Sequence, residues 1–362
     1  MRWLAALVAL AGCDKLFGVA PVAVVDANDA TGAGDAGAFC PTTLSLRLGC
    51  VDASAPLERD LDFDVDTGDV GCGSAGGVVT ADHVCAITAS LIRVRAAIAV
   101  TGPNPLVLVA STQVRIEAPV DVGSHASLTA SGAGADVGCA GASVSGTIAA
   151  NFSSGGGGGS YQQRGGRGGG TTDGAVGGSG GPMQSLGARA GCAGADGGDT
   201  PQSGGHSGGA LIVVARYAIV VAADVLAGGA GGAGGTMMVT GGFSGGGGGG
   251  GSGGAIVFDA MFVELSSTAR LCANGGGGGA GGSTLVSGTS GSDACVGSNS
   301  AAGGGTTGST QGGASGSTYG TPPTDLTDSP INGGAGGGGG GAGYVASTQT
   351  ITGDISPPFT PL

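Results

Sequence analysis

An alternating apolar run that returns after 22 positions constrains this chain more than any other feature. Ile92, Val94, Ala96, Ile98 and Val100 alternate with Arg93, Arg95, Ala97 and Ala99. Val114, Ile116, Ala118, Val120 and Val122 alternate with Arg115, Glu117, Pro119 and Asp121. A period of two belongs to a strand with one buried face. The pattern comes back at Ile219, Val221, Ala223 and Val225, behind Leu211–Ala215. It returns again at Val263, Leu265, Ser267, Ala269 and Leu271, behind Ile256–Ala260. Near the end, Val345–Gln349 repeats Val109–Gln113 letter for letter and leads into Ile351 and Ile355. Units of this size, each with about two short strands, cannot bury their apolar faces alone and must stack. The expected fold is therefore all-β: a right-handed parallel β-helix-like solenoid in which sequence-distant strands share one core. Stacking at this step puts Arg95 over Glu117, a favourable pair, and Arg93 over Arg115, an unfavourable one.

Gly-rich insertions at about 124–209, 229–254 and 275–343 separate the later units. They hold most of the 87 Gly among 362 residues, more than three times the usual share of roughly 7%. The Gly residues keep no strict three-residue sequence period, which excludes collagen. The segments Leu106–Ala110, Leu211–Ala215 and Ile256–Phe258 are apolar at consecutive positions, as in strands buried on both faces. Something must cover their outer side, and the Gly-rich insertions are the candidates. Two forms are open to them. One is flexible loops. The other is an ordered layer of extended helices, three residues per turn, packed backbone to backbone.

The N-terminus carries an address. Arg2 precedes an apolar stretch, Trp3 to Ala11, too short to span a bilayer. Leu10-Ala11-Gly12-Cys13 then reads as a bacterial lipobox, with Cys13 the lipidation site. The expected layout is a signal peptide at 1–12, a lipid-anchored flexible tether at 13–39 and a β-solenoid domain at 40–362. Beyond Cys13, eight Cys remain, an even number in an exported chain, which predicts disulfides. Eight Cys allow many connectivities. The simplest is sequential: Cys40–Cys50, Cys72–Cys85, Cys139–Cys192 and Cys272–Cys295. No CxxC occurs, and with only His83, His125 and His206 a zinc site is not expected.

Charge and motifs narrow the function. The net charge is −13 with 25 acidic against 12 basic residues, so nucleic acid is not an expected partner. Gly205-His206-Ser207-Gly208-Gly209 matches G-x-S-x-G, but no strand-turn-helix frames it. Asp60, Asp62, Asp64 and Asp66 put four carboxylates on one face of an alternating run, with Leu61, Phe63 and Val65 on the other, and Asp69 stands in the turn that follows. Calcium, which takes six to eight oxygens, is the one cofactor they suggest. A solvated strand edge that resists pairing is the competing expectation.

The lipobox followed by Asp14-Lys15-Leu16-Phe17-Gly18, the Gly102–Ala110 segment and the Gly-Gly-Ser-Gly-Gly-Ala run at 250–255 together resemble the Gly-rich lipobox-bearing lipoproteins of myxobacteria and similar high-GC bacteria. The resemblance covers nearly the whole chain and implies an address and a fold, with no established activity. The expected protein is a non-catalytic, cell-envelope-anchored structural or adhesive lipoprotein. Its lipid would hold it to the outer membrane or cell surface, where its partner is a polysaccharide or another cell surface. The alternative is a polysaccharide-binding or polysaccharide-cleaving β-helix, with Arg and Asp clustered along one strand face.

Overall fold

A computed structural model describes residues 55–127, 131–139, 143–183, 189–198, 202–237, 244–297, 300–305, 313, 316, 325–326 and 333–362. Cys13, the tether and the Cys40–Cys50 pair lie outside these residues. Before the first Gly-rich insertion come β1 (Glu58–Leu61), β2 (Val65–Asp66), the short helix α1 (Asp69–Ser74), β3 (Gly77–Val79), β4 (Cys85–Val94), β5 (Ile98–Thr101), β6 (Leu106–Ile116) and β7 (Val120–Asp121). β8 (Ala210–Ala215), β9 (Ala218–Val221) and β10 (Val225–Leu226) follow it. β11 (Ala255–Asp259), β12 (Phe262–Leu265) and β13 (Arg270–Cys272) follow the second. β14 (Tyr344–Ser347), β15 (Asp354–Ser356) and β16 (Thr360–Pro361) follow the third.

The fold is all-β, in two sheets. One runs β1-β4-β6-β8-β11-β14-β16, with β9 and β12 continuing it beside β6. The other runs β2-β5-β7-β10-β13-β15. Strand pairing is parallel throughout, except for the β3–β4 hairpin. Ile92 pairs with Val114 and Ile98 with Val120, the expected 22-residue step. Ahead of Ser90 the step is one shorter, Cys85 against Leu106, and an irregularity between Ala89 and Leu91 absorbs the difference.

Each alternating run is two strands rather than one. Ile92 and Val94 belong to β4, and Ile98 and Val100 belong to β5. The chain turns between them because the two sheets face one core from different sides. Alternation survives the turn: Ile92, Val94, Ile98, Val100, Val114, Ile116, Val120, Ile219, Val221 and Val225 are buried together, while Val263 and Leu265 pack partly buried against them. Arg95 does not pair with Glu117. It bonds Asp60 of β1 at 3.0 Å and approaches Glu58 at 3.6 Å. Arg93 does stack in register on Arg115, and the carboxylate of Glu58 neutralises it from the other side. The acids of the preceding strand thus outcompete Glu117, which lies past the end of β6.

The described parts of the Gly-rich insertions are ordered and densely hydrogen-bonded. Residues 247–254 show the rule. Gly247, Gly250 and Gly253 donate to Ala335, Gly338 and Gly341; Gly248, Gly251 and Gly254 donate to Ala233, Ala230 and Ala227; Gly249 and Ser252 donate to Ala195 and Cys192. The same leg accepts from Gly156 and Gly159, from Gly205 and Gly208, and from Gly276 and Gly279. Every third residue therefore meets the same neighbour, and six legs surround one. That is the periodicity of an extended helix with three residues per turn. Gly is required here by space: a Cβ on Gly250 would lie 2.1 Å from the Gly276 carbonyl oxygen, although Gly250 does not adopt a left-handed φ.

This layer covers the outer side of the first sheet. Val107 and Val109 of β6, Ile212 and Val214 of β8, Val257 of β11 and Tyr344 of β14 are buried in a second cluster with Tyr161 and Ala190 of the first insertion. The consecutive apolar residues of β8 and β11 thus face two cores, one inside the sheets and one beneath the Gly-rich layer. Disulfides join Cys72 to Cys85, Cys139 to Cys192 and Cys272 to Cys295. The first ties α1 to β4; the other two fasten Gly-rich segments.

Candidate functional site

The Asp run does not form one strand face. The chain turns at 62–64, between β1 and β2, and Phe63 is exposed rather than buried. Each carboxylate then serves a different place. Asp60 bonds Arg95. Asp64 accepts the Ala99 N–H at 2.7 Å. Asp66 accepts the Gly68 N–H at 2.9 Å. Asp69 opens α1, where its charge suits the positive end of the helix, and Asp62 is exposed in the turn. Among the described residues no three His, Cys, Asp or Glu gather as a metal ion would need.

Ser207 is fully buried, and its Oγ accepts the Asp136 N–H at 3.0 Å. Asp136 also bonds His206 Nδ1 at 2.7 Å, and that bond raises the His206 pKa against the lowering effect of burial. His206 and His125 line a cleft of about 290 Å³ with Ser203, Gly204, Ala230 and Ser290. His125 is clamped: Nε2 meets Asp121 at 2.9 Å and Nδ1 meets Asp293 at 3.5 Å. The bond to Asp121, then that to Asp293, raise its pKa from 6.5 to about 10 despite burial. Burial pushes the Asp293 carboxyl up, but bonds from His125, Gly231 and Ala126 outweigh it and leave it below the ordinary value. Asp293 thereby ties the three Gly-rich insertions together. At neutral pH this is a charged fastener.

A different surface is open to solvent. Beyond the first corner, the outer side of β4, β6, β9 and β12 carries no Gly-rich cover. Leu91, Gln113, Ala218 and Phe262 lie in one row, and Arg93, Arg115, Val220 and Glu264 in the next. Tyr217 leads into β9 and Met261 into β12. Phe262 donates its N–H to the Tyr217 carbonyl at 2.9 Å, and Tyr217 donates to that of Thr112 at 3.0 Å. Tyr217 is 47%, Met261 58% and Phe262 67% exposed, so three large exposed apolar residues lie side by side on two neighbouring rungs. The outward place of Phe262 was available from its alternation with Val263 and Leu265; that of Tyr217, in a corner, was not.

Eight of the described arginines sort into three groups. Arg93, Arg95, Arg164 and Arg270 pair with Glu58, Asp60, Asp325 and Asp224. Arg59 and Arg189 donate to the backbone carbonyls of Ala75 and Gly138. Arg115 bonds its neighbour Gln113 at 3.1 Å, and Arg216 lies 5.4 Å from the Tyr217 ring centroid. Among the described residues neither of these two meets a carboxylate within ion-pair distance, and both border the apolar patch. No described helix is long and apolar enough to cross a membrane. Comparisons with family models, curated proteins and solved structures return no match to this chain.

Proposed function

We propose that the chain is a non-catalytic, structural or adhesive surface lipoprotein, exported and anchored to the bacterial outer membrane or cell surface by a lipid on Cys13. Its body is a right-handed parallel β-helix-like solenoid in which each unit adds a rung to both sheets. The observation that carries this reading is the cross-linked Gly-rich layer. Legs from all three insertions bond to one another at every third residue and lock over the sheet. A body cross-linked in this way suits a role in display or support. Acyl chains on Cys13, at about 0.8 kcal/mol per buried CH₂, supply the attachment.

Replacing Cys13 with Ser, then fractionating cells and following metabolic palmitate labelling, tests the anchor. The variant is expected to lose its label and leave the membrane fraction. Retention of both defeats the proposal.

A further inference from the structure

We infer that the patch formed by Tyr217, Met261 and Phe262, with Arg115 and Arg216 at its border, binds an extended polysaccharide that carries carboxylates. The inference deepens the adhesive reading above, since it names what the surface adheres to. The patch is uncovered where the neighbouring face of the same sheet is sealed. Its apolar part is made of an aromatic phenol, a phenyl ring and a thioether, all exposed. Such groups stack on the C–H face of a sugar ring and tolerate water when empty. The patch also has a polar border. Gln113 stands in the row with Ala218 and Phe262, and the Thr112 carbonyl accepts the Tyr217 N–H; hydroxyl and amide groups match sugar hydroxyls.

Charge selects among sugars. In a chain with twice as many acids as bases, two exposed guanidiniums that meet no carboxylate among the described residues stand out. Arg forms paired, planar bonds to carboxylates. Strands in the sheet repeat every ~4.8 Å, close to the length of one sugar ring, so successive rungs can meet successive residues of a chain laid along the stack. The net charge of −13 opposes a polyanion at long range. Recognition is therefore short-range, through contacts at the patch, and salt screens the opposing repulsion more than it screens the contacts.

The test uses the full-length chain in detergent, with polygalacturonate as the probe and neutral dextran as the comparison, measured by calorimetry. Tyr217→Ala, Phe262→Ala, Arg115→Gln and Arg216→Gln alter exposed side chains, so unchanged melting curves confirm that each variant folds. The expected result is binding of polygalacturonate with at least tenfold preference over dextran. Either aromatic substitution should weaken it by about tenfold, and the two Arg substitutions together should abolish the preference. No binding to polygalacturonate, equal binding of dextran, or binding unchanged in all four variants overturns the inference. A chain that ignores polygalacturonate but still depends on Cys13 for its membrane fraction loses this ligand and keeps its anchor.

Discussion

Gly250→Ala sets two physical effects against each other. Gly250 does not adopt a left-handed φ, so backbone preference alone predicts that Ala stabilises, by about 0.4–1 kcal/mol through the unfolded chain. Packing predicts the reverse. The new Cβ would sit 2.1 Å from the Gly276 oxygen and 2.6 Å from its carbon, whereas carbon and oxygen normally approach to about 3.3–3.6 Å. The two legs must therefore part by roughly 1 Å. The bonds that hold them are Gly276 N–H to the Gly251 oxygen at 2.8 Å, Gly279 to Gly248 at 2.9 Å and Gly282 to Gly245 at 2.8 Å. Losing one or two of these leaves buried groups unpaired, at about 1–3 kcal/mol each. The net expectation is a loss of about 2–4 kcal/mol, or roughly 4–8 °C in a calorimetric melt. Gly73→Ala is the control: it lies in α1 with nothing within 4 Å of its Cβ position, and it should gain about 0.5–1 kcal/mol. If Gly250→Ala melts at or above the wild type, the backbone-to-backbone account of the layer is wrong.

The His125 clamp predicts a pH window. A raised pKa means stability that is fully present below 6.5 and lost as pH rises through about 10. Melts of the wild type should therefore fall across that range, and fall less steeply in Asp293→Asn, where the His125 midpoint moves down. A ring titration by NMR that finds His125 near its ordinary 6.5 in the native protein would refute the clamp. Among the described disulfides, Cys139–Cys192 closes the longest span, 53 residues against 13 for Cys72–Cys85. Replacing both members with Ser should cost about 4 kcal/mol for the long loop and about 3 for the short one. Peptide mapping under non-reducing conditions that finds free thiols at these positions would remove the premise.

The strands were readable because side chains report their own surroundings. Alternation from Ile92 to Val100 marked one buried face, and the unbroken run from Leu211 to Ala215 marked two. The register of Ile92 on Val114 followed from the spacing. The corners were not readable, since Arg95, Ala96 and Ala97 continue the alternation while the backbone turns. The same ambiguity hid the turn at 62–64 and made the Asp residues look like one face. The hairpin of β3 with β4 and the helix α1 were missed because Gly71, Gly73, Gly76 and Gly77 give them no pattern. Inside the Gly-rich layer the difficulty is deeper. Gly250 meets Gly338, Gly159 and Gly276 through backbone atoms alone, so no residue type records which leg lies beside which. His125 and Asp293 were likewise brought together only by folding, from positions far apart in the chain.

The two halves of this protein count length in different units. In the strands an added residue turns every later side chain to the opposite face, so lengths are free to change by two. In the Gly-rich layer each neighbour is met again after three residues, so an insertion of three lengthens a leg by one turn, about 9 Å, and leaves every earlier bond in place. One or two extra residues would instead aim the following N–H groups at the wrong legs. Insertions and deletions tolerated in Gly-rich legs such as 155–159, 245–254 and 334–343 should therefore come in threes, matched on the outgoing and returning legs. A body of this kind can grow taller over its sheet without any change in the core that supports it.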